Sequence, residues 1–138
     1  MPYATQQDII NRYGSNELIV AADHDEDGVA DADVVEQGLK DSSDEIDVYI
    51  GGRYTLPLDT VPQVLMRLCV DMALYHMSKP PAVTDEKRRR YEDAVRLLAK
   101  ISEGKVTLGS NDPQGSGNAG GSFFQSAPAR FTNRRGRL

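Results

Sequence analysis

A chain of 138 residues, 39% hydrophobic and 27% charged, has room for one modest core but not two, and its composition is that of an ordinary globular domain. The single cysteine, Cys69, excludes a disulfide framework, and a start of MPYATQQDII has neither the basic opening nor the apolar run of an export signal. The net charge of -5 is uneven: beyond Gly109 four arginines face one aspartate, about +3, which leaves about -8 on the rest of the chain.

Thr5 followed by Asp8 has the form of a capping box, opening a short helix on which Ile9, Ile10 and Tyr13 share a face and which Gly14 ends. Ser15 or Asn16 is placed to cap a second short turn through Glu17, Leu18, Ile19 and Val20. The acidic stretch Asp23 to Asp33 reads as a loop, with Asp31 or Asp33 as cap of the helix that follows.

That helix and the next organise the chain. In the first, Val35, Leu39, Ser42, Ile46, Tyr49 and Ile50 recur at three- and four-residue steps, a single stripe on an otherwise polar helix. A corner through Gly51, Gly52, Arg53, Tyr54, Thr55, Leu56, Pro57 and Leu58 leads to the second, expected to begin near Thr60 with Pro62 in its first turn. There Val61, Val64, Leu65, Leu68 and Met72 form one ridge. Met66, Val70, Ala73, Leu74 and Met77 cover most of the rest, beside one polar stripe of Gln63, Arg67 and Asp71. Such a helix must be surrounded, by its own chain or by neighbouring copies. Arg67 and Asp71 interrupt it too early for a membrane span, and none is expected.

Pro80 and Pro81 force a break. Thr84 then caps a third long helix with Asp85 and Glu86 in its first turn and a stripe of Tyr91, Ala94, Val95, Leu98 and Ile101, ended by Gly104. Lys105 to Leu108 alternates like a short strand. From Gly109 the Gly, Ser, Asn and Gln content cannot offset an ordering entropy of roughly 1 to 2 kcal/mol per residue, so the tail is expected to order only on a partner. It carries Phe123, Phe124 and Phe131, all the phenylalanines of the chain, beside Arg130, Arg134, Arg135 and Arg137. Aromatic anchors with arginines are what interface hot spots are made of, which makes the tail a docking arm. The expected fold is therefore all-α: three long and two short helices, a strand or hairpin near 105–108, a helical domain over 1–108 and an extended Gly/Arg-rich arm over 109–138.

The loop from Asp23 to Asp31 is the best chemical signal. EF-hand calcium loops place oxygen ligands at positions one, three and five, glycine at six, a backbone carbonyl at seven and often a carboxylate at nine. Asp23, Asp25, Asp27, Gly28, Val29 and Asp31 fit each of these. Position twelve, where a bidentate Glu closes the shell, is Val34, so any calcium site is weak or completed from elsewhere. The competing reading is a solvated acidic turn. The run Lys87, Arg88, Arg89 and Arg90 could meet phosphates, but the neighbouring acids favour a solvated face or a contact with an acidic neighbour. Arg53 and Tyr54 are presented on a defined corner and divide evenly between a packed corner and an intersubunit contact. No Cys/His nucleophile pair, zinc spacing or phosphate loop is present, and no enzyme activity is expected.

The order YATQQDIINRYG, the D-x-D-x-D-G loop, EIDVYIGGRYTLPL, VPQVLMRLCVDMALYHM and RRRYEDAVRLLAKISEGKVTLG resembles the small neck protein family of Mu-like phages and prophages, related to head-tail connector or adaptor proteins. The resemblance spans about residues 2 to 109 and not the tail. It implies a small helical bundle forming a ring, usually of twelve copies, under the portal protein of the filled head in the virion neck, assembled in the host cytoplasm. It also implies contact with the next neck or tail protein, with DNA passing through without sequence-specific binding. On that reading Arg53, Tyr54, Arg88, Arg89 and Arg90 are intersubunit residues, while Phe123, Phe124, Arg130, Phe131, Arg134, Arg135 and Arg137 meet the portal. No cofactor is required. A calcium-responsive binding module and a DNA-binding protein are the alternatives.

Overall fold

Among residues 2 to 109, which this computed structural model describes, five helices form: α1 Gln6–Tyr13, α2 Ser15–Ala22, α3 Ala32–Ile50, α4 Gln63–Met77 and α5 Asp85–Ser102. The architecture is all-α, and no described helix is long and apolar enough to cross a membrane. The expected capping box is formed, with the Asp8 N–H donating to Thr5 Oγ1 and the Thr5 N–H to the Asp8 carboxylate. Gly14, at φ 92°, both ends α1 and occupies the N-cap of α2, so neither Ser15 nor Asn16 caps that helix.

The stripe read on α3 is the buried one: Val35, Leu39, Ser42, Ile46 and Ile50 are buried and Tyr49 is half-buried. It packs on α4, and the two backbones come close where Gly38 faces Met77 and Ala73. A Cβ there would lie 3.1 Å from Met77 Cε and 3.4 Å from the Ala73 carbonyl oxygen. α4 begins at Gln63, not near Thr60. Val61 precedes a proline, which disfavours helical geometry there, and Pro62 is itself extended at the N-cap. Leu65, Leu68, Cys69, Val70, Met72, Ala73, Leu74 and Met77 are all buried within the chain, because α3 and α5 flank α4 and the short helices cover its remaining side. The all-round apolar helix is thus the core of its own subunit and leaves little for lateral contacts. Cys69 is one of these core residues, its thiol pushed up by burial and inert on that account.

On α5 the expected stripe packs inward, joined by Lys87. The strand expected at 105–108 does not form. Lys105 and Val106 both donate their N–H to the Lys100 carbonyl, folding the segment back on α5 with no strand beside it among the described residues. Leu108 is buried and its N–H donates to Tyr54 Oη at 3.0 Å, closing the body.

Three tyrosine hydroxyls tie elements across the sequence. Tyr3 donates to Asp47, Tyr13 to Asp71 Oδ1 at 2.5 Å, and Tyr91 to Glu45 Oε2 at 2.7 Å. They join the N-terminal segment to α3, α1 to α4, and α5 to α3. Burial, then the hydrogen-bonded carboxylate, raises all three phenols, Tyr3 and Tyr91 well above their usual range.

Candidate functional site

The acidic loop folds as its glycine and aspartates direct. Gly28 sits at φ 86° and Glu26 at φ 61°, so the chain doubles back and its N–H groups turn inward. The Asp27 and Gly28 N–H groups donate to Asp23 Oδ1 and Oδ2 at 3.1 and 2.8 Å, and the Val29 N–H to Asp27 Oδ1 at 2.9 Å. Asp31 holds the N-cap position of α3, yet its side chain makes no cap bond. It turns to the loop and accepts the His24 N–H at 2.9 Å. One oxygen from each of Asp23, Asp25, Asp27 and Asp31 lies within 4.8 Å of the others.

Four carboxylates so close repel. Desolvation, the hydrogen bond shared with Asp23, and the charges of Asp27 and Asp31 push the Asp25 carboxyl up to about 6. Asp23 is held below its usual range: desolvation works against this, but the Gly28 and Asp27 N–H groups outweigh it. The set offers hard oxygen donors at the right sequence positions, with the Val29 carbonyl at position seven, and suits a hard divalent cation such as calcium. Val34, at position twelve, is half-buried against the core and offers no carboxylate. The loop is anchored to the body by His24, whose Nε2 lies 2.7 Å from the Met77 carbonyl oxygen and 3.2 Å from that of Ala21. Nothing local in the sequence marks this contact, because the Met77 carbonyl lies 53 residues from His24.

The other candidate residues separate. Tyr54 is buried at 3% exposure and accepts from Leu108, so it is a core residue and not a surface contact. Arg53 is half-buried against Gly104, which at φ 82° lies where a Cβ would meet the guanidinium at 2.6 Å. The basic run on α5 is not one face. Lys87 turns inward, donating to Ser78 Oγ at 3.0 Å and lying 3.3 Å from Glu17 Oε1. Arg90 pairs with Glu86 at 2.9 Å and stacks over the Tyr13 ring, Arg88 pairs with Asp85, and Arg89 is exposed. Phe123, Phe124, Arg130, Phe131, Arg134, Arg135 and Arg137 lie outside the described residues.

A surface cluster that sequence reading missed joins α3, α4 and α5. Tyr75 stacks on Tyr91 with ring centroids 4.4 Å apart, and His76 Nε2 lies 2.9 Å from Glu45 Oε1. Its only local signal is the Tyr75-His76 pair at the end of α4, since Glu45 lies 31 residues from His76.

The family model described as "Bacteriophage Mu, Gp36" matches residues 3–126. The "Mu-like prophage FluMu protein gp36" of Haemophilus influenzae is 40% identical over 126 residues, covering 91% of this chain and 89% of that protein. "Gene product J" of Escherichia phage Mu is 36% identical over 110 residues, covering 79% and 77%. The family match extends beyond residue 109, the end of the resemblance read from the sequence. It runs into the Gly-rich tail, where no apolar periodicity marks a motif, includes Phe123 and Phe124, and stops before Arg130.

Proposed function

The chain belongs to the Bacteriophage Mu Gp36 family, and from that premise we propose that it is a structural protein of the phage neck, a head-tail connector that forms a ring under the portal and receives the next neck or tail component. The observation that carries this reading is the match over residues 3–126, within which a small helical body closes its own core and leaves a long segment beyond it. A closed body with a trailing arm suits a protein that assembles on a template. The arm supplies Phe131, Arg130, Arg134, Arg135 and Arg137 for the portal, where arginine forks and aromatic rings give the most interface energy. Neighbouring copies meet through exposed α5 residues such as Arg88 and Arg89. The acidic body favours a channel through which DNA slides, since like charge suppresses phosphate contacts.

The test is co-purification of the full chain with the portal protein encoded near it, followed by electron microscopy of the complex. Ring-shaped density on the portal is the expected result, and Arg134→Ala with Arg135→Ala should weaken it. A portal that never retains the chain would remove the connector reading.

A second reading, compatible with the first, is that the Asp23 to Asp31 loop binds calcium. The convergence of four carboxylates on one small loop favours it. The DNA-binding alternative is less well supported, because Lys87 is buried and Arg88 and Arg90 are already paired with acids of their own helix.

A further inference from the structure

The helix pair α1–α2 is docked on the rest of the body by side chains that meet across the acidic loop. Ile9, Leu18 and Ala22 join the common core. Tyr13 donates to Asp71 of α4 at 2.5 Å, and the Arg90 guanidinium of α5 lies 4.4 Å from its ring. Glu17 Oε1 lies 3.3 Å from Lys87 Nζ of α5. Lys87 is 3% exposed and Asp71 7%, so a body without α1–α2 would hold a buried ammonium stripped of its paired carboxylate and a buried carboxylate stripped of its phenol. The dock cannot stay empty. None of these contacts requires the helix pair to come from the same chain.

What ties the pair to its own α3 is the loop, and there closure has a cost. One oxygen from each of Asp23, Asp25, Asp27 and Asp31 is held within 4.8 Å of the others, and Glu26 carries a side chain at φ 61°. Both costs belong to the closed loop alone. When the loop extends, Asp23 leaves with α2 and Asp31 stays with α3. The eight peptide steps between them span about 28 Å, roughly twice the radius of gyration of a domain of about 100 residues, about 13 Å. That length reaches the dock of an adjacent copy.

We propose that α1–α2 is exchanged between copies of this chain, the pair of one copy filling the dock of the next, with Asp25 to Ala30 as the hinge. The docked contacts are the same in both arrangements, so relief of the loop is set against the cost of bringing two copies together. Charge within the hinge therefore sets the exchanged fraction. Because Lys87 and Asp71 need their partners, each pair that leaves its own body obliges another to replace it. Passed in one direction, the exchange is a head-to-tail contact, which closes into a ring or runs on as a filament. It is a property of the free chain and stands apart from the portal.

The ion pair of Glu17 with Lys87 records which copy supplied the helices. Full-length chains made with light and with heavy nitrogen are unfolded together, refolded at high concentration and separated by size. A carbodiimide then joins that carboxylate to that amine without a spacer. Glu17–Lys87 cross-links of mixed label in the oligomeric fraction are the expected result, with single-label cross-links in any monomer. Single-label cross-links in every fraction, or a chain that stays monomeric throughout, would overturn the exchange. Complementation reads the same event without a cross-link. Glu17→Lys and Lys87→Glu chains should each melt below the unaltered chain, and refolded together should melt well above either alone, because each body then finds a complementary helix pair on the other. A mixture that melts as the two separate variants counts equally against exchange. Asp25→Asn with Asp27→Asn relaxes the closed loop and should lower the mixed-label fraction several-fold; an unchanged fraction would overturn the loop as the hinge that drives it.

Discussion

Asp47, Asp71 and Glu45 each accept a tyrosine hydroxyl, whereas Asp23, Asp25, Asp27 and Asp31 face one another across a surface loop with only backbone N–H groups to offset their charge. The same chemical group is settled in the body and unsettled in the loop. In the body the carboxylates serve the fold, and removing a partner should destabilise it. In the loop the ionised Asp23 is held by backbone N–H groups, whereas the charges around Asp25 oppose its ionisation, so losing the Asp25 charge should stabilise the fold.

The body side is broken most severely in α4. Leu68 is 1% exposed, and Leu68→Ala should cost about 2 to 5 kcal/mol by denaturant unfolding. Because α4 is buried by its own chain, the loss should be the same at low and high protein concentration; a loss seen only in the oligomer would place the helix at an interface. Next, Tyr13→Phe leaves the Asp71 carboxylate, 7% exposed, without its donor and should cost about 1 to 3 kcal/mol. A melting temperature unchanged within error would show that the bridge contributes nothing. The three bridges also fix an alkaline limit. Their phenols ionise higher in the folded chain than the roughly 10 of an unfolded tyrosine, so the stability they lend is complete below that pH and is lost as pH rises past it. The melting temperature should fall above about pH 10, and more gently in Tyr91→Phe.

These bridges mark the limit of what the sequence disclosed. The stripes of α3 and α5 were legible because apolar spacing reports burial directly, and the acidic loop was legible because its donors lie within nine residues, Asp23 to Asp31. Tyr3 and Asp47 are 44 residues apart, and nothing local distinguishes a bridging tyrosine from one that merely packs. Lys87 read as part of a basic surface because its three basic neighbours follow it directly. Helical geometry turns it to the opposite side, where Ser78 and Glu17 await it. For Tyr54 the residues left a packed corner and an intersubunit contact evenly balanced, and the burial of its ring decides for the packed corner.

The loop side is sharpened by calcium. With position twelve missing, a dissociation constant of about 10⁻⁴ to 10⁻³ M is expected, so about 10 mM calcium should add roughly 1.4 to 2.7 kcal/mol of stability. That is a rise of several degrees in melting temperature, reversed by chelator and absent in sodium chloride of equal ionic strength. No shift would remove the calcium reading and leave a solvated acidic turn.

The smallest effect is the most discriminating. Asp25 ionises near 6, above the 3.8 of an unconstrained aspartate, so its contribution favours the folded state fully below about pH 4 and is lost as pH rises through about 6. Asp25→Asn removes one of four mutually repelling charges. Without calcium it should raise the melting temperature slightly at pH 7 and flatten its dependence between pH 4 and 7. With calcium the same substitution removes a ligand and should lower the melting temperature relative to the unaltered chain, while calcium affinity in the unaltered chain falls as pH drops through about 6, protons and metal competing for one carboxylate. A substitution that stabilises in both conditions would mean that the four carboxylates only repel one another. A reversal of sign on adding calcium requires that they share an ion, since no structural role of Asp25 alone depends on the metal.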